Sequence, residues 1–144
     1  MIDRFEGEYA VFSNFAWSPV VMEDLTYDTV EHAFQAAKTT DKELRKKFWL
    51  LGSPGEAKKL GRSIQLREDW EEIKDGVMLA LLRQKFTKYL ENKSLLIATG
   101  KDTLVEGNWW HDNYWGVCIC RTCEGKGGKN RLGELLMQVR SEIR

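Results

Sequence analysis

Three residues in one short stretch have the types and spacing to do chemistry together. In Val30-Glu31-His32-Ala33-Phe34-Gln35-Ala36-Ala37-Lys38, a helical pitch of about 100° per residue gathers Glu31, Gln35 and Lys38 into a stripe of roughly 60°. Val30, Ala33, Phe34, Ala36 and Ala37 fill the opposite arc. One carboxylate, one amide and one amine thus face the same way, a set able to stabilise a cation, orient a ligand and move a proton. A structural alternative stands beside this. Asp28 followed three residues later by Glu31 is a helix-start signature, in which Glu31 reaches back to an orphan backbone N–H at the positive end of the helix dipole.

Four further segments carry chemical potential, each with a plainer alternative. Phe12-Ser13-Asn14-Phe15-Ala16-Trp17 interleaves polar donors with rings, which suits gripping a base or sugar; an ordinary turn with buried rings is the alternative. In Leu104 to Gly116, adjacent Trp109 and Trp110 followed by His111, Asp112, Asn113 and Tyr114 do not fit the alternating faces of an interior strand, so a loop is expected. Glu106 and Asp112 can there activate water or stabilise a cation behind walls of Trp109, Trp110 or Trp115, unless Asp112 and Asn113 simply make a turn. Gly125-Lys126-Gly127-Gly128-Lys129-Asn130 leads into the last helix with Asn130 as N-cap, a setting that receives phosphate on backbone N–H groups or serves as a capped turn. Cys118, Cys120 and Cys123 are too few and too crowded for a disulfide framework. With His111 they have the makings of a zinc site, but free thiols are preferred because the spacing is not that of a standard finger. No metal and no cofactor are expected.

The elements that position these groups belong to a helix-rich α+β single domain spanning residues 1–144. The chain has 144 residues, 42% of them hydrophobic and 31% charged, as in a globular protein, and no run approaches the roughly 18 apolar residues of a membrane span. Lysine plus arginine equals aspartate plus glutamate at 22 each, which argues against a general grip on a polyanion and for a small ligand or a local piece of nucleic acid. The N-terminus, Met1-Ile2-Asp3-Arg4-Phe5-Glu6, lacks the basic-then-apolar plan of a signal peptide, so a cytoplasmic location is expected. Tyr9 to Phe12 reads as a strand, and Val20-Val21-Met22 with Leu25-Thr26-Tyr27 as a hairpin. Helices are expected near 29–39, 42–51, 54–61, 68–91, with Gly76 as a weak point, and 93–99, and an amphipathic helix closes the chain. Short strands are expected at Leu104-Val105 and Val117 to Ile119.

Taken in order, Phe12-Ser13-Asn14-Phe15, Glu31-His32-x-x-Gln35-x-x-Lys38, Lys59-Leu60-Gly61-Arg62, Lys85-Phe86, Leu96-x-Ala98-Thr99-Gly100, Leu104-Val105-Glu106, Asp112-x-x-Trp115-Gly116 and Gly128-x-Asn130-x-Leu132-Gly133 resemble the NADAR family, also called YbiA-like, over nearly the whole chain. The resemblance implies an N-glycoside hydrolase that cleaves ribose from a nitrogen-linked base. Its substrate would be either a ribosylamino-pyrimidine phosphate of riboflavin synthesis or ADP-ribose on a guanine base, free or in DNA. It further implies catalytic roles for Glu31, Asp112 and Lys38. Cleaving a C1′–N bond builds positive charge on the sugar, so an anion, a water route and neutralisation of the departing nitrogen are needed. Glu31 and Asp112 share the first two tasks, and Lys38 binds phosphate or protonates the leaving base, or else attacks C1′ to form a Schiff base. Ser13, Asn14 and Gln35 would orient the ligand and Trp115 would stack on it. Arg62, Gly128 and Asn130 would hold phosphate, with Phe15, His32, Glu106 and Gly116 completing the substrate contacts. Carboxylate chemistry of this kind is expected to survive chelation. Two other readings remain open: a non-catalytic ADP-ribose or nucleotide-binding module, and a zinc-stapled interaction domain.

Overall fold

A computed structural model describes residues 1–144, which divide into two compact units, Asn14–Lys85 and Met1–Ser13 with Phe86–Arg144. The unit Asn14–Lys85 begins with the expected hairpin. β1 (Val20–Met22) and β2 (Leu25–Tyr27) run antiparallel with Val20 opposite Tyr27 and Met22 opposite Leu25. The two-residue turn places Glu23 in the left-handed region at φ 54°, as tight hairpins require. The Glu23 carboxylate pairs with Arg45 Nη1 at 2.9 Å, which ties the turn to α2 (Lys42–Leu50).

Helix α1 (Val30–Ala36) is short, and every one of its seven residues is buried. A seven-residue helix is marginal on its own, so its conformation depends on packing against the hairpin, α2 and α3 (Pro54–Ser63). Its neighbours are well started: Asp41 accepts from the N–H groups of Glu43 and Leu44, and Ser53 accepts from Glu56 N–H with Pro54 in the first turn. Helix α4 (Trp70–Lys88) passes through Gly76 without a break. Phe34 packs on Trp70 with centroids 5.0 Å apart, and Val30, Ala33, Phe48, Ala57, Met78 and Leu82 complete a dry interior.

In the other unit, residues 9–12 are not a strand. Gly7–Phe12 forms a 3₁₀ helix, and Tyr9 and Phe12 stack with centroids 5.9 Å apart. Residues three apart eclipse at three residues per turn, so the aromatic pair carries a period of three where an alternation of two was expected. Phe12 also meets Phe5 and Phe86. α5 spans Leu90–Ala98 and α6 spans Arg131–Ile143. Leu104 makes an isolated parallel bridge with Ile2, while the strands proper are β3 (Gly107–Asn108) and β4 (Val117–Cys118), paired in parallel with Gly107 opposite Val117. Buried Arg140 of α6 donates from Nη1 to Thr99 Oγ1 at 2.9 Å and to the Asp102 carbonyl at 2.8 Å. No helix is long and apolar enough to cross a membrane.

Candidate active-site residues

The polar stripe of α1 forms, and it is buried. Thr29, not Asp28, caps the helix: its hydroxyl oxygen accepts from His32 N–H at 3.1 Å. Glu31 therefore does not close a capping box. Its N–H donates to the Asn14 carbonyl at 3.1 Å, and its carboxylate Oε1 receives Gln35 Nε2 at 2.9 Å, one helical turn away. Glu31 is 7% exposed and Gln35 6%, so this carboxylate sits where a developing positive charge would be felt with little screening. Burial pulls the Lys38 amine below lysine's ordinary value, Glu31 partly restores it, and Arg62, Lys58 and Lys74 press it down further. The stripe thus becomes one carboxylate and one partly desolvated amine with Arg62, Lys58 and Lys74 nearby, the last paired with Glu71. Two amide oxygens, Asn14 Oδ1 and Gln35 Oε1, are buried with no hydrogen-bond partner in the protein. Asn14 Nδ2 reaches Met78 Sδ at 3.6 Å, and Lys58 Nζ lies 5.8 Å from the half-exposed ring of Phe15.

The loop between β3 and β4 is organised by Asn108, whose side chain is fully buried. Its Nδ2 donates to Asp112 O at 2.8 Å and Glu106 Oε2 at 3.2 Å, while its Oδ1 accepts from Trp110 N–H at 3.3 Å and Asp112 N–H at 3.1 Å. Asp112 Oδ1 in turn accepts from the N–H groups of Tyr114 (3.1 Å) and Trp115 (2.9 Å), so the turn weighed as the plainer alternative at Asp112 exists and fixes the carboxylate. Tyr114 and Trp115 meet edge to face at 4.9 Å. Trp109 and Trp110 are 54% and 51% exposed, a rim and not a core. A Cβ on Gly116 would lie 1.9 Å from Glu106 Oε2 and 2.0 Å from Glu106 O, so only glycine lets the two segments meet.

A family model for the NADAR domain matches residues 3–144. The chain belongs to the NADAR family. This NADAR chain is 42% identical over 139 residues to N-glycosidase YbiA of Escherichia coli, covering 94% of the chain and 82% of that protein. The NMR structure of E. coli YbiA superposes with a TM-score of 0.81 at 39% identity, covering 99% of this chain and 86% of that one. It is also 36% identical to the maize chloroplastic riboflavin biosynthesis protein PYRR, matching 94% of the NADAR chain but 23% of that longer protein.

Within the NADAR chain, several expected ligand contacts give way to structural duties. His32 is 1% exposed, its Nδ1 lies 2.8 Å from the Thr29 hydroxyl and its Nε2 3.0 Å from the Leu51 carbonyl. A carbonyl only accepts, so Nε2 donates there, and both ring nitrogens of His32 are engaged within the protein. Asn130 precedes α6 in the left-handed region at φ 52° and makes no side-chain cap. Its amide clamps two strands of chain instead, accepting from Glu106 N–H at 3.0 Å and donating to Leu104 O at 2.9 Å. The N–H groups of Lys129, Asn130, Arg131 and Leu132 donate to the carbonyls of Asn113, Gly116, Tyr114 and Trp115. These N–H groups make the helix end a backbone clamp, and Gly128 is required because a Cβ would sit 2.4 Å from Gly116 O. Arg62 is exposed beside Lys38, in keeping with a phosphate contact, and Ser13 lies just ahead of the loop that carries Asn14. An open cleft of about 740 Å³ lined by residues 39–41, 44 and 65–69 contains none of the expected site residues. Sequence reasoning did not find Asn108, Gly61, Lys58 or the buried Lys85, whose amine burial pulls down to about 7. Of these, only Gly61 and Lys85 stood inside a recognised motif.

Proposed function

We propose that this NADAR chain is an N-glycosidase that hydrolyses the C1′–N bond of a phosphate-bearing N-ribosyl substrate. The observation that carries the reading is the buried Glu31 carboxylate, held by Gln35 beside the desolvated amine of Lys38. An oxocarbenium-like sugar gains most from an anion that is fixed and poorly solvated before the bond breaks. Asn14 Oδ1 and Gln35 Oε1, buried acceptors without a partner in the protein, would take hydrogen bonds from ribose hydroxyls or base N–H groups, since leaving them unmet carries a penalty of about 1–3 kcal/mol each. Lys58 and Arg62, whose charges reach Lys38, would supply the positive field for phosphate. Lys38 gives its proton to the departing nitrogen, which a lowered pKa makes easier. Asp112 is the second carboxylate, held by two backbone donors, and Trp115 provides a stacking face.

The names of the relatives favour a ribosylamino-pyrimidine phosphate of riboflavin synthesis as substrate. ADP-ribosylated guanine presents the same bond and the same phosphate chemistry and is the other candidate. The reaction belongs to the cytoplasm in this proposal and uses no cofactor. A non-catalytic nucleotide-binding module would use the same aromatic and amide groups without needing an acid at position 31. Turnover of both substrates, followed by release of free base, tests the proposal. Glu31→Gln and Asp112→Asn are each expected to lower kcat by about a hundredfold or more with the fold retained, as for groups acting on transition-state charge. Near-normal rates in both variants would remove the carboxylate mechanism.

A further inference from the structure

We propose that His111, Cys118, Cys120 and Cys123 bind one Zn²⁺ ion in a closed Cys₃His site that staples the loop between β3 and β4. The four donor atoms lie within 4.8 Å of one another, although their residues span thirteen positions of chain with irregular spacing. His111 Nδ1 stands 3.7 Å from Cys118 Sγ, 3.4 Å from Cys120 Sγ and 3.3 Å from Cys123 Sγ. In a tetrahedron with Zn–S near 2.3 Å and Zn–N near 2.0 Å, each N···S edge is about 3.5 Å. The imidazole nitrogen therefore stands to all three sulfurs as a fourth vertex stands to the other three. A disulfide would use two of the thiols and leave the third and the imidazole without a role, and all three are free.

The backbone is shaped to hold this arrangement. His111 adopts φ 68°, a conformation rare for a side-chain-bearing residue outside special turns, and its N–H donates to Cys118 Sγ at 3.3 Å. The Cys120 carbonyl accepts from Cys123 N–H at 3.2 Å and Glu124 N–H at 2.9 Å, closing the turn that brings the last two sulfurs to one side. Asn113 Oδ1 accepts from Cys118 N–H at 2.9 Å, and the Thr122 hydroxyl lies 3.2 Å from Cys120 Sγ. Outer contacts of this sort orient metal ligands. A thiolate-rich tetrahedral set selects zinc over harder divalent ions. Four protein ligands leave no open position, so the ion is structural and supplies no activated water. On binding, the three thiols lose their protons to solvent.

The test reads metal, not turnover, so it is independent of the proposed activity. Untagged protein from zinc-supplemented cells, purified under reduction and without chelator, is expected to hold about one zinc per chain by inductively coupled plasma mass spectrometry. Titrating the thiols with a mercurial should release that zinc to a colorimetric indicator. Metal-free protein reloaded with Co²⁺ should show the sulfur-to-cobalt charge-transfer band and intense visible bands of a tetrahedral thiolate site. Cys120→Ser with Cys123→Ser should drop the zinc content below about a tenth per chain. Wild-type protein with less than about a tenth of a zinc per chain and no thiolate band on Co²⁺ addition overturns the proposal. So does a folded double variant that keeps a full equivalent.

Discussion

The contact most open to a quantitative test is the approach of α3 to α1 at Gly61. A Cβ placed there would lie 1.8 Å from Gln35 Oε1 and 2.7 Å from Gln35 Cδ, so Gly61→Ala forces the Gln35 amide to move. The same amide donates to Glu31 Oε1 at 2.9 Å. Gln35 is buried and α1 is packed on all sides, so the displaced side chain has little room in which to remake that bond. Loss of a hydrogen bond to a charged group is worth about 1.5–3 kcal/mol. Overpacking adds about 1–3 kcal/mol of destabilisation, of which alanine's higher helix propensity returns about 1 kcal/mol. Stability by urea denaturation should thus fall by up to about 2 kcal/mol beyond the lost bond. If Glu31 needs Gln35 to hold its position, kcat/KM should fall by about 10- to 100-fold, since each 1.36 kcal/mol at the transition state is a factor of ten. Gly76→Ala is the matched control: a Cβ there meets nothing within 4 Å, and it should stabilise α4 by about 0.5–1 kcal/mol with turnover unchanged. Adding Gln35→Ala to Gly61→Ala should relieve the clash and recover stability but not activity. Gly61→Ala with unaltered kcat/KM would refute the positioning role of Gln35.

Two further predictions concern lysines. Borohydride added during turnover should trap no ribosyl adduct on Lys38, and Lys38→Arg should lower kcat by about a hundredfold, because a guanidinium does not give up its proton; an adduct mapped to Lys38 by peptide mass spectrometry would make it the nucleophile instead. Lys85 holds a folded pKa of about 7 against an ordinary 10.5, so its charged form is penalised below pH 7 and the penalty fades as pH rises towards 10.5. Relative to Lys85→Met, wild-type protein should gain about 3 kcal/mol of stability between pH 6.5 and 9.5, and a pH-independent difference between the two would show that Lys85 is solvated.

The helices were legible where amphipathic spacing and caps agree, as at Asp41 and Ser53, and the hairpin register follows from two three-residue runs around Glu23-Asp24. The 3₁₀ helix at residues 7–12 was not, because the short apolar run Tyr9-Ala10-Val11-Phe12 carries no period that separates a strand from a helical turn. The polar stripe on α1 was legible as a direction but not as a depth. Nothing in the residue pattern signals that the Lys38 amine is desolvated; burial in the folded chain does that. Asn130 and His32 carry the residue types of a cap and a ligand, yet both are consumed by contacts far along the chain, to Glu106 and Leu51. Spacing within a motif does not register such partners. His111, Cys118, Cys120 and Cys123 were visible as a group of ligand types, but their spacing pointed to free thiols. Their irregular spacing becomes a tetrahedron only once β3 and β4 pair in parallel.

The clamp between the start of α6 and residues 113–116 also constrains when this loop can take its shape during synthesis. Four carbonyls of the loop that carries Asp112 and Trp115 find their donors in Lys129 to Leu132, and Asn130 holds Leu104 and Glu106 together. While the ribosome still holds that helix in its exit tunnel, the loop lacks the donors that set its shape, whatever the helices made earlier have already done. A nascent or prematurely ended chain should therefore hold a formed α1 without a formed loop.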